Sequence, residues 1–205
     1  MHASMNGGEN WLASFTEYKD TGTRAKDKVW KSRGLEVTSV YRMRFHPNNS
    51  NLLYAATADI GGSVSEDHGQ TFRIAQAEYN SNYDYAFDVN DDMVAFAASG
   101  SLHDYPNEWR TGAHAGNGGI YKTLDRGRTW RRLTPDNTTY NRQFLSVGYD
   151  STNRTIYGGT QEIGIVRSTD DGATWNLFNT GLPTGTKIIP QIELDPRNGN
   201  VYALL

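Results

Sequence analysis

Between Gly100 and Gly119 the chain reads GSLHDYPNEWRTGAHAGNGG, which gathers two histidines (His103, His114), two acids (Asp104, Glu108) and two aromatics (Tyr105, Trp109). Flat aromatic faces beside hydrogen-bonding groups suit sugar rings, so His103, Asp104, Tyr105 and Trp109 are read as candidate saccharide-binding residues. Packing of this insertion onto a neighbouring element is the alternative. The histidine and acid spacing fits no zinc pattern, so no metal site is expected and no cofactor is implied. A second aromatic run, EYNSNYDY at 78–85, is read as packing. Three further acids, Asp67, Asp125 and Asp170, recur within one motif: SEDHGQTF (65–72), TLDRGRTW (123–130) and STDDGATW (168–175). In such a motif the Asp and Ser/Thr side chains accept backbone amides and close a turn, the Gly supplies a positive φ, and the terminal aromatic folds beneath. These aspartates are therefore expected to clip hairpins and not to bind a ligand.

Several chemistries have no support. The chain has no cysteine, which excludes disulfides and thiolate metal sites. No GxSxG elbow, Walker loop or dinucleotide fingerprint occurs. A formal net charge of -3 over 205 residues, with both signs interspersed, gives no basic stripe, so nucleic acid is not an expected partner. The segment Met1–Asn10 is short and polar, neither signal peptide nor anchor, so no membrane association is expected. The parent protein is expected to be secreted or periplasmic, with its leader outside this chain.

The elements that position these residues follow from composition and repetition. With 21 glycines, 37% hydrophobic residues and no amphipathic helical window, the chain reads as all-β. Each motif is preceded by a strand pair joined by an Asx/Pro turn, at 42–57, 85–99 and 145–160, and a fourth pair lies at 191–205. A period of about 45 to 60 residues with this composition indicates propeller blades of four-stranded antiparallel sheets, about four blades' worth. One propeller, or propeller fragment, spans 1–205, with units at about 1–34, 35–83, 84–143, 144–187 and a partial 188–205. Asp20, Gly22 and Trp30 look like a degenerate fourth motif with an inserted loop. The chain is expected to start with the outer strands of one blade (Trp11–Phe15, Lys28–Lys31) and to finish with the inner strands of another (Ile188–Leu205). Such complementary half-blades suggest either a small four-bladed ring or a homodimer, and the homodimer is favoured.

The motif resembles the Asp-box, or BNR, repeats found in sialidases, sortilin-type receptors, a photosystem assembly factor and xyloglucanase-type family 74 glycoside hydrolases. A closer local similarity is YAATADIGGS at 54–63, preceded by Phe45-His46-Pro47, which resembles the YARTDIGGAY stretch of family 74. The resemblance implies a carbohydrate-active propeller, a hydrolase of the xyloglucanase or β-glucanase type or a fragment of one, taking a polysaccharide or oligosaccharide. It places one catalytic carboxylate at Asp59 and substrate close to Gly61 and Gly62, where paired glycines would let a sugar chain approach the backbone. The family's Arg is replaced here by Ala56 or Thr57, and its second carboxylate belongs to a second propeller. A non-catalytic glycan- or protein-binding module is the alternative. A sialidase-like enzyme is a third reading, and it lacks the expected FRIP strand: Phe72-Arg73-Ile74-Ala75 follows a motif directly.

Overall fold

The computed structural model describes residues 2–13, 16–22, 27–32, 39–102 and 116–205. Every regular element among them is a strand. Three four-stranded antiparallel sheets carry the architecture, each meandering from an inner to an outer strand. Blade 1 is β5 (Val40–His46), β6 (Asn49–Thr57), β7 (Gly62–Ser65) and β8 (Arg73–Ile74). Blade 2 is β9 (Ser81–Phe87), β10 (Ala95–Gly100), β11 (Gly118–Thr123) and β12 (Arg131–Arg132), and blade 3 is β13 (Phe144–Asp150), β14 (Thr155–Thr160), β15 (Ile165–Ser168) and β16 (Asn176–Leu177). A fourth sheet holds two strands, β17 (Gln191–Leu194) and β18 (Val201–Leu204). Upstream lie two small pairs, β1 (His2–Ala3) with β2 (Leu12–Ala13), and β3 (Thr16–Tyr18) with β4 (Trp30–Ser32). Blade 2 begins at Ser81, ahead of the expected boundary at 84, because Ser81 already bridges to Gly61 of the preceding blade.

Strand alternation divides the core into seams between blades. Ala95 and Ala97 of β10 join Leu52, Tyr54, Tyr85 and Tyr121 in the seam between blades 1 and 2. Phe96 and Ala98, on the other face of the same strand, join Phe144, Val147, Ile156 and Trp175 in the seam between blades 2 and 3. A third cluster of Ile165, Ile189 and Ile192 seats β17 against blade 3. The repeat places an aromatic at one position of each second strand: Tyr54, Phe96, Tyr157 and Tyr202. Tyr54 and Phe96 are buried, facing the motif tryptophans Trp130 and Trp175 of the following blades. Tyr202 is 59% exposed.

The three motifs close alike. Asp67 Oδ1 accepts the Thr71 amide at 2.8 Å, its Oδ2 accepts the Thr71 hydroxyl at 2.6 Å, and Ser65 Oγ accepts the Gly69 amide at 2.7 Å. Asp125 does the same with Thr129, and Asp170 with Thr174. The residue after each Asp, His68, Arg126 or Asp171, has positive φ, followed by a glycine that also does. In the degenerate copy, Asp20 Oδ2 accepts the amide of Val29 at 2.8 Å, and Val29 immediately precedes Trp30. That is the bond the full motifs make to the residue before their aromatic, preserved across the inserted loop. Trp30 then bridges to Phe72, with rings 5.9 Å apart, which attaches β3–β4 to blade 1. Among the described residues β18 pairs with β17 alone, and β3 with β4 alone.

Candidate functional site

Strand direction sorts the candidate residues between two ends of the barrel of blades. β6 rises from the turn after His46 to the loop at 58–61, a span of about 27 Å for its length. The motif turns lie at the first end, where His68 N donates to Asn51 O and Arg126 N to Met93 O. Asp59 lies at the second end. Thr57 closes its loop by donating both its amide and its hydroxyl to Gly61 O, each at 3.1 Å. The loop is held from outside by Ala58 N donating to Ser39 O and Gly61 N donating to Asn80 O. The tight circuit forces Asp59 to φ 65°, a conformation that Asp tolerates better than most residues, and leaves its side chain exposed.

Asp59 is tied to the base of the insertion in blade 2. Its amide donates to Ser81 Oγ at 3.4 Å, and the Ser81 hydroxyl donates to Leu102 O at 2.7 Å. Tyr83 Oη donates to the same carbonyl at 2.9 Å. The other flank of the insertion is fixed by Ser101 N donating to Asn117 O and Asn117 N to Ser101 Oγ, each at 2.9 Å. The two flanks of the insertion therefore lie at the same end as Asp59. His103, Asp104, Tyr105 and Trp109, with Glu108 and His114, lie outside the described residues. The close approach expected at the paired glycines is made by the protein itself: a Cβ on Gly62 would meet the Tyr85 hydroxyl, and one on Gly61 would meet Gln76.

At the opposite end a cavity of about 620 Å³ follows the axis, bounded by the inner strands β5, β9, β13 and β17 and by their turns. On its floor Arg44 grips Asp84 with two nitrogens, at 3.0 and 3.2 Å, and reaches Glu193 at 2.6 Å. Asp84 is fully buried, and Arg42 stands 3.6 Å from it. Burial opposes the charge on Arg44, but Glu193 and Asp84 outweigh it and hold the guanidinium above its ordinary range. Sequence reasoning passed over this trio. Its members are far apart in the chain, and only the alternation of β5, which turns Arg42 and Arg44 to one side, hinted at a shared partner.

The fold and the two ends define a β-propeller segment whose motif turns serve structure and whose exposed Asp59 sits on the loop end. No family model matches the chain. It is 30% identical over 173 residues to a xyloglucanase of Hypocrea jecorina, covering 77% of this chain and 19% of that protein. It is also 30% identical over 159 residues to the xyloglucanase Xgh74A of Acetivibrio thermocellus, covering 70% of this chain and 18% of that one. The crystal structure of an ancestral GH74 enzyme superposes with a TM-score of 0.62 at 25% identity, covering 85% of this chain and 23% of that chain. The chain is thus a partial-length homologue of the family 74 xyloglucanases, spanning about a fifth of the length of the relatives it matches.

Proposed function

We propose that this chain is the part of a xyloglucanase-type glycoside hydrolase that presents one carboxylate, Asp59, to a β-glucan at the loop end of its blades. The observation carrying this reading is the Thr57–Gly61 circuit, which holds an exposed Asp59 in a left-handed turn beside the base of the Trp109 insertion. Hydrolysis of a glycosidic bond needs a carboxylic acid and a second carboxylate. Asp59 fills one role, and the parent protein supplies the other. The parent acts outside the cytoplasm, where its polysaccharide is found.

Isothermal titration with xyloglucan oligosaccharides and cello-oligosaccharides tests this. Asp59→Asn keeps the left-handed turn and removes the charge. The expected result is binding by the unmodified chain, weakened about fivefold or more in the variant, as when a charged hydrogen-bond partner is lost. In the full-length parent, hydrolysis should fall by at least about a hundredfold, as for loss of an acid or base. Hydrolysis by Asp59→Asn at the unmodified rate would defeat the assignment. Binding that persists with no hydrolysis in any context would favour a glycan-binding module instead.

A second proposal concerns assembly. Val40, Met43 and Phe45 of β5 and Tyr202, Leu204 and Leu205 at β18 are each more than half exposed, whereas the matching positions in blades 2 and 3 are largely buried. A second copy of the chain covers this face and the β18 edge. Light scattering at micromolar concentration should report twice the 22.9 kDa chain mass, and a monodisperse single-chain mass would overturn the dimer.

A further inference from the structure

The Asp59 loop has a structural duplicate in blade 3. Thr57-Ala58-Asp59-Ile60-Gly61 corresponds to Thr160-Gln161-Glu162-Ile163-Gly164, and the second copy repeats the hydrogen bonds of the first. Thr160 donates its amide and hydroxyl to Gly164 O at 3.0 and 2.8 Å. Gln161 N donates to Gln143 O as Ala58 N does to Ser39 O, and Gly164 N donates to Lys187 O as Gly61 N does to Asn80 O. Gly61 and Gly164 share positive φ, at 75° and 81°. Glu162 therefore stands at the position of Asp59 in the repeat, at the same end, one blade beyond the insertion, although only Asp59 of the two has a positive φ.

The amide after each acid also differs, since Ile60 N donates to Ala58 O and Ile163 N to Thr160 Oγ1, and Glu162 is paired with an arginine. Arg142 Nη1 donates to Glu162 Oε2 at 2.6 Å, while Nε and Nη2 of the same guanidinium donate to Thr139 O at 2.6 Å and Thr138 O at 2.7 Å. Both side chains are partly exposed, at 16% for Glu162 and 18% for Arg142. An arginine locked on three sides beside a partly exposed carboxylate offers remaining N–H donors and carboxylate acceptors in one fixed place, the two kinds of group that a sugar hydroxyl can bond. Little rotamer entropy remains to be lost on binding.

We propose that Glu162 and Arg142 form a second sugar-contacting site, binding a further residue of the β-glucan held at Asp59. This rests on the carbohydrate reading of the loop end. The test is titration of xyloglucan oligosaccharides into the unmodified chain, Asp59→Asn and Glu162→Gln, with a melting curve for each. Glu162→Gln should weaken binding about fivefold, the loss expected of one charge-assisted hydrogen bond. If Glu162→Gln fails to fold, Glu162→Asp keeps the charge within reach of Arg142 but withdraws it by one methylene, and should also weaken binding. A variant that melts lower yet binds as the unmodified chain does would overturn the site, leaving an ion pair that only braces the loop. Unmodified protein and Asp59→Asn differing in affinity while Glu162→Gln matches the former would overturn this site alone. An unmodified chain that binds no glucan would defeat the carbohydrate reading, and this inference with it.

Discussion

Phe96 and Tyr202 hold the same position in the repeat and meet opposite fates. Phe96 is fully buried, with Trp175 of the next blade and Phe144 in its seam, whereas Tyr202 is 59% exposed on a sheet of two strands. Between blade 3 and β17 the corresponding Tyr157 is partly buried, against Phe178 at 6.0 Å. The gradient shows that the motif does two jobs: its Asp closes a turn, and its aromatic seals the seam toward the preceding blade. Between β17 and blade 1 the inner strands meet through polar and charged groups. Arg44 and Glu193 join β5 to β17, and Arg42 Nη2 donates to Pro190 O at 2.9 Å.

The sealed seam should be the costlier to break. Trp175→Ala removes a side chain from a residue only 6% exposed, and is expected to cost about 4 kcal/mol in denaturant unfolding, within the range for large-to-small aromatic changes. A loss under about 1 kcal/mol would show that the aromatic does not seal the seam.

Arg44 separates the two kinds of contact, since it serves a buried partner in the next blade and an exposed one across the open side. Arg44→Met strands Asp84, whose side chain is fully buried, and is expected to cost about 3 kcal/mol, with Arg42 compensating in part. The stranded carboxyl should take up a proton more readily, because burial already pushes it upward against the pull of Arg44.

The turn aspartates come next. Asp125→Ala should cost about 2 kcal/mol by removing an acceptor of several hydrogen bonds. Hydrogen bonds from Thr174 hold Asp170 down at about 2. At Asp67 and Asp125 partial burial opposes ionisation, but the bonds from Thr71 and Thr129 outweigh it and lower both. A carboxyl lowered in the folded state contributes stability above its unfolded value near 4 and loses it as pH falls toward the folded value. Melting temperature should therefore drop from about pH 4 to about pH 2 and the drop should be shallower in Asp125→Ala. An identical acid profile in the variant would contradict this origin.

The smallest effect is expected at Glu193, whose side chain is 44% exposed. Glu193→Gln should cost no more than about 0.5 kcal/mol and its cost should shrink in salt, as for exposed ion pairs. A cost rivalling that of Arg44→Met would mean that the open side is latched as firmly as the sealed ones.

Much of this was legible in the chain. The motif spacing located the three motif turns, and even Asp20 and Trp30 revealed a copy whose amide bond survives an inserted loop. The strand pairs before each motif were visible because an Asx turn and an alternating apolar run repeat together. The site was less legible. Asp59 emerged from a local resemblance, yet the pairing of TADIG with TQEIG, which singles out Glu162, was equally present in the letters and was overlooked because Glu replaces Asp. Arg44, Asp84 and Glu193 could not be associated in advance, since nothing local joins residues 40 and 149 positions apart. The role of the paired glycines depended on Tyr85 arriving from the next blade and Gln76 from the connection after β8, packing events with no local signature.

The alternation of β10 reaches beyond stability. One face of that strand is small, with Ala95 and Ala97, and the other carries Phe96, so each blade brings one half of two different seams. A gene duplication that copied a whole blade would join two surfaces already shaped for each other. An insertion of a single residue ahead of Phe96 in β10 would instead exchange the faces and set Phe96 against Tyr54 and Tyr85. The parity of one strand thus keeps its residue count fixed while whole blades can be added.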